Sequence, residues 1–134
     1  MLCLPGDVWM CVGSDDMALP MSSVNNSMGE INSSLTITNI RFAEVKTAWT
    51  EEPQLELIGG LSIPWTSPTR NTLSRFSSTC WMLGRELLNS SKETTPIGLV
   101  GVYVNNTDIW SWAPREAVMS PCSRESRRNH TDSR

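Results

Sequence analysis

Asp15 and Asp16 are adjacent carboxylates in GDVWMCVGSDDM, residues 6–17, where an apolar run ends in a glycine and a serine. Carboxyl pairs can do general acid–base work, one carboxylate can act as a nucleophile, and several together hold a hard cation. Asp7 is the nearest third donor, but calcium wants six to eight oxygens and this spacing matches no known loop. A plainer reading is local: aspartate suits the N-cap and first turn of a helix, whose free N–H groups face it. A second polar cluster, Asn105, Asn106 and Thr107, follows the other strongly apolar run of the chain.

Three segments have strand character. They are Asp7–Val12, the β-branched stretch Thr36–Val45, and the continuous apolar run Pro96–Val104, which suits a strand buried on both faces. Between the second and third, Phe76, Cys80, Leu83 and Leu87 recur at helical spacing, with Ser74 as a start signal and Asn89 to Ser91 as a stop. Trp81 is expected at the border of that stripe. Residues 47–72 hold Pro53, Gly59, Gly60, Pro64 and Pro68, and read as a long irregular connection. Residues 18–35 fit either a short helix or a loop. Strands alternating with a helix predict an α/β fold with a short parallel sheet, whose ligand crevice lies beyond the carboxyl ends of the strands. With the strands ordered second–first–third, Gly13–Asp16 and Asn105–Thr107 flank that crevice.

The length of 134 residues suits one domain, and a net charge of −3 gives no electrostatic reason for a nucleic-acid partner. No stretch approaches the roughly 20 apolar residues of a membrane span. MLCLPGDVW lacks the basic region of a signal peptide. Sequons at Asn25, Asn32, Asn89, Asn105 and Asn129 point the other way, toward glycosylation in a secretory compartment. Cys3, Cys11, Cys80 and Cys122 admit three pairings into two disulfides, while the burial habit of free cysteine favours Cys11 and Cys80 as buried thiols. Residues 123–134 read as a polar tail. It contains His130, the sole imidazole, which reads as a solvated tail residue rather than a base, since a base must reach its nucleophile.

The chain resembles the sialate O-acetylesterase family, of the SGNH (GDSL-type) hydrolase fold. The family's GDVWLCSGQSNM stands here as GDVWMCVGSDDM, and its W-S-x-P-T is matched at Trp65, Thr66, Pro68 and Thr69. Its S-A-V-C-W-x-x-G-R-x-L is matched by SSTCWMLGREL, and its PIGLIxSSWGGTPIEAW by PIGLVGVYVNNTDIWSW. The match runs in order from Pro5 to Cys122. It implies a partial, flavodoxin-like three-layer SGNH domain over residues 1–122, no cofactor, and a secreted or lysosomal setting for the family. The reaction implied is hydrolysis of O-acetyl esters of sialic acids, with an O-acetylated sialic acid or sialoglycan as the partner.

The departures are chemical. The family's nucleophilic serine is matched by Asp15, flanked by Ser14 and Asp16, and the glycines of its W-G-G-T by Asn105 and Asn106, next to Thr107. A developing oxyanion needs N–H donors, each typically worth ~2.7–4 kcal/mol, and carboxylates beside it would repel it. Asparagine tolerates the left-handed backbone that glycine supplied. The resemblance with these substitutions implies a catalytically inactive relative. Alternatives are a sialoglycan-binding or regulatory module, in which Trp65, Trp110 and Trp112 are candidate sugar platforms, pairing with a full-length homologue, or a fragment whose third strand is left as an exposed edge.

Overall fold

The computed structural model describes residues 5–91 and 95–119. Cys3, Cys122, Asn129, His130 and the tail lie outside the described residues.

Four strands form one mixed sheet in the order β1-β4-β2-β3. β1 (Asp7–Gly13) and β2 (Ile40–Val45) both run parallel to β4 (Ile97–Tyr103), and β3 (Leu61–Thr66) is antiparallel to β2. This corrects two expectations. The third apolar run is the central strand and the first is the edge, so the order is first–third–second in sequence terms. The sheet is also not wholly parallel, because β3 arises inside the stretch expected to be irregular. Its Pro64 cannot donate to a ladder, which confines β3 to an outer position, and the pairing with β2 shifts register around it.

The helices are α1 (Asp15–Ala18), α2 (Ser27–Ser34), α3 (Arg70–Arg75), α4 (Ser78–Ser90) and α5 (Arg115–Val118). Thus residues 18–35 contain a helix, and α3 also lies within the supposed connection, started by a capping box between Thr69 and Thr72. Ser77 rather than Ser74 caps α4, its hydroxyl accepting from the N–H of Cys80 at 3.1 Å. No helix among the described residues is long and apolar enough to cross a membrane.

α4 packs on β4 and β2. Its buried face is Cys80, Trp81, Gly84 and Leu88, whereas Leu83 is 43% exposed, so the stripe is rotated by about one residue from the expected one. Gly84 explains the rotation. A Cβ there would sit 2.6 Å from a methyl of Leu99, so β4 and the helix touch where no side chain intervenes. Trp81 is fully buried rather than bordering, and its indole N–H donates to the Ser34 hydroxyl at 3.1 Å. Phe42 completes this core, its ring 4.4 Å from that of Phe76 and edge-on to Trp81 at 5.8 Å.

Cys11 and Cys80 are joined in a disulfide, which corrects the reading of both as buried thiols. Their Cα atoms are 5.8 Å apart, within bridging reach, because β1 lies beneath the first turn of α4. Since Cys11 faces α4, strand alternation puts Val8, Met10 and Val12 on the opposite face of the sheet. There Val8 and the ring of Trp65 close over Gly98, where any side chain would collide with that ring.

Candidate functional site

β1 and β4 run parallel in unbroken register from Asp7–Ile97 to Gly13–Tyr103, so both carboxyl ends open on the same side. The N–H of Val104 donates to the Gly13 carbonyl at 3.1 Å and carries the pairing one step past the strands. The turn after β1 and the turn after β4 therefore meet. This adjacency survives the corrected strand order because the first and third runs are neighbours in either arrangement.

Two hydrogen bonds join the turns. The backbone N–H of Asn106 donates to Oδ1 of Asp15 at 3.0 Å, and that of Thr107 donates to the Ser14 hydroxyl at 3.1 Å. Asn106 takes a left-handed conformation, φ 58°, the backbone for which asparagine is the best substitute after glycine. That conformation turns its N–H toward β1. Ser14 is the N-cap residue of α1, but its side chain makes no cap bond and serves the Thr107 amide instead. Asp15 and Asp16 occupy the first turn of the helix, where acidic groups offset the free N–H ends.

Among the expected site residues, Gly13, Ser14, Asp15, Asn106 and Thr107 come together. Asn105 lies in the same turn, exposed, and Asp16 is exposed with its carbonyl accepting from the Thr79 hydroxyl at 2.9 Å. Asp7 begins β1 and the carboxylate pair follows its end. Six residue steps separate Asp7 from Gly13, about 20 Å of strand, so these three aspartates cannot share a cation. Trp65 belongs to the far face of the sheet. Trp112 does reach the site: its indole N–H donates to the Thr107 hydroxyl at 2.9 Å, and that hydroxyl donates to the Val104 carbonyl at 2.8 Å.

Three contributors had no mark in the sequence. Met17 lies against Gly13 and weakly accepts from the Ser77 hydroxyl. Thr79 anchors the backbone of Asp16. Tyr103 ends β4 and donates to the Glu44 carboxylate. Burial first, and then the hydrogen bond and charge of Glu44, push its phenol well above the ordinary tyrosine range. A pocket of about 240 Å³ beside Tyr103 is lined by Lys46, Leu57, Val102, Val104 and Trp112, among others, but not by Ser14, Asp15 or Asn106. The crevice itself is open, with Asp15, Asp16, Asn105 and Asn106 all exposed.

No family model matches the chain. Sialate O-acetylesterase of Rattus norvegicus is 30% identical over 118 residues, which are 84% of this chain and 21% of that protein. The Homo sapiens sialate O-acetylesterase is 27% identical over 113 residues, 81% of this chain and 21% of the human protein. The chain thus matches about a fifth of the length of these relatives. A solved structure of a carbohydrate acetylesterase from Xanthomonas citri shares the fold, with a TM-score of 0.75 over 87% of this chain and 26% of its own at 23% identity. That likeness supports the α/β, partial SGNH-type fold expected from the motifs. Sequence and fold together identify the chain as a homologue, over that fifth of their length, of the sialate O-acetylesterases.

Proposed function

We propose that this chain is a non-hydrolytic relative of the sialate O-acetylesterases, whose family reaction is removal of O-acetyl groups from sialic acids. One observation carries the reading: the Asn106 N–H already donates to the Asp15 carboxylate. A backbone donor at the meeting of the two turns is the kind of group that would hold a developing oxyanion. Here it holds a permanent acceptor from its own protein. An ester bound at the same place would have to displace Asp15 and then build negative charge beside it. The removal of one such donor elsewhere costs about 2.7–4 kcal/mol of barrier, and a repelling carboxylate adds to that loss. The open crevice adds a second handicap, because water screens whatever donors remain.

Glycan binding gains no support from the charge of this site. Sialic acids are anions, and exposed Asp15 and Asp16 leave the mouth of the crevice acidic.

The test is hydrolysis of an O-acetylated sialoside and of a chromogenic acetyl ester by the purified chain with its disulfide formed. The expected result is a rate equal to that of Asp15→Ala. Turnover that persists through purification and disappears in Asp15→Ala overturns the proposal.

A further inference from the structure

Four of the sequons, Asn25, Asn32, Asn89 and Asn105, fall among the described residues, and their settings differ. Asn32 and Asn89 lie within the helices α2 and α4. Ser34, which completes the Asn32 sequon, is buried, its hydroxyl bound to the Glu30 carbonyl and the Trp81 indole. Asn25 and Asn105 stand exposed in turns, each followed by a left-handed asparagine, Asn26 at φ 56° and Asn106 at φ 58°. The Cys11–Cys80 disulfide is an independent mark, since such bonds form in the oxidising secretory compartments where sequons are read.

Asn105 adjoins the crevice directly. The next residue, Asn106, gives its N–H to Asp15, and the one after, Thr107, gives its N–H to Ser14. The W-G-G-T pattern has glycine where Asn105 stands and threonine where Thr107 stands, so that one change is enough to make the sequon.

We propose that Asn105 carries an N-linked glycan that roofs the crevice between the two turns. The bond is made at Asn105 Nδ2, which exchanges one N–H for a bond to the anomeric carbon of an oligosaccharide carried on a polyprenyl diphosphate. The proton and the polyprenyl diphosphate leave, and nothing is oxidised or reduced. Transfer precedes closure of the turn, because in the folded chain the Thr107 hydroxyl is taken by the Val104 carbonyl and the Trp112 indole. After folding, the exposed setting of Asn105 gives the glycan room without disturbing the core, and it covers the carboxylates of Asp15 and Asp16. A bulky polar group there bars large ligands from the turns whatever chemistry the turns retain. Mass and labelling, not turnover, read this inference, so its failure is distinct from that of the inactive reading.

The test is expression of the full chain behind a secretion leader in glycosylating cells, followed by peptide mass spectrometry. We expect a glycan mass at Asn105 that is lost in Asn105→Gln. Amine labelling of carboxylates with a carbodiimide then reads the roof. Asp15 and Asp16 should label on the order of threefold more slowly in the glycosylated chain than in Asn105→Gln, as expected of a bulky surface group. Asp7, at the other end of β1, should label equally in both. If the variant fails to fold, trimming the glycan of the native chain to its first sugar should speed labelling of Asp15 and Asp16 in the same way. An unmodified Asn105 in the secreted, disulfide-bonded chain overturns the proposal, and so does a glycan that leaves the labelling of Asp15 and Asp16 unchanged.

Discussion

The backbone N–H of Asn106 and the carboxylate of Asp15, 91 residues apart in sequence, lie 3.0 Å from one another at the mouth of the open crevice. The bond ties the turn after β4 to the first turn of α1. Its donor is aimed by a left-handed asparagine and its acceptor by the end of a strand. Asp15→Ala should loosen both turns while leaving the core intact. We expect a loss of no more than about 1 kcal/mol in urea denaturation, since the bond is exposed. Faster exchange of the Asn106 amide should accompany it, and an amide unchanged in Asp15→Ala would show that the contact does not persist in solution.

Tyr103 is the sole tyrosine of the chain, so the absorbance of tyrosinate reports on it alone. Its folded value is raised above the unfolded one, near 10, by burial and by Glu44. The unfolded state therefore releases its proton first. The stability this group contributes is complete below about pH 10 and declines as pH rises beyond it. We expect ionisation of Tyr103 to coincide with alkaline unfolding, and Tyr103→Phe to flatten the decline. A reversible tyrosinate signal in the folded protein near pH 10 would contradict this.

The Cys11–Cys80 bridge closes a loop with a sequence separation of 69. By the chain-entropy relation, such a crosslink stabilises by on the order of 4 kcal/mol. Reduction or Cys80→Ser should therefore lower the urea midpoint sharply. The first region to open should be β1, which among the described residues is held to one neighbouring strand and, through the bridge, to α4. Oxidised and reduced chains with equal midpoints would remove the bridge from the account.

At Gly84 two effects oppose. Alanine improves helix propensity by about 1 kcal/mol, but its methyl would press on Leu99 at 2.6 Å, and overpacking typically costs about 1–3 kcal/mol. The clash is expected to win, making Gly84→Ala destabilising. Trimming the strand residue in Gly84→Ala/Leu99→Ala should cost less than the two single changes added together. Strict additivity would show that the two do not meet.

The continuous apolar run that became β4 and the strand that ends at Gly13 were legible, because both show sustained strand character that a turn interrupts. β3 was not, since Pro64 and Ser62 resemble loop residues until the strand is seen to be an edge. The face of α4 was misplaced because small Gly84 does not register as apolar, although it marks the closest approach of helix and sheet. The meeting of Ser14 and Asp15 with Asn106 and Thr107 was foreseeable from topology, as parallel strands put their carboxyl ends together. The contributions of Thr79, Met17 and Tyr103 were not, because each acts through a contact with residues distant in the chain.

What the amino-acid sequence determined by itself is the chemistry at the head of α1. An aspartate stands where the family it resembles has serine, and no arrangement of the chain alters that identity. Only the tertiary structure decided that this carboxylate takes up the Asn106 amide, that Cys11 and Cys80 join, and that β1 rather than β4 is the outer strand among those described. The reason is physical. Residue type and local period report which groups a segment offers, whereas strand order and the direction of backbone N–H groups depend on pairings between segments far apart in the chain.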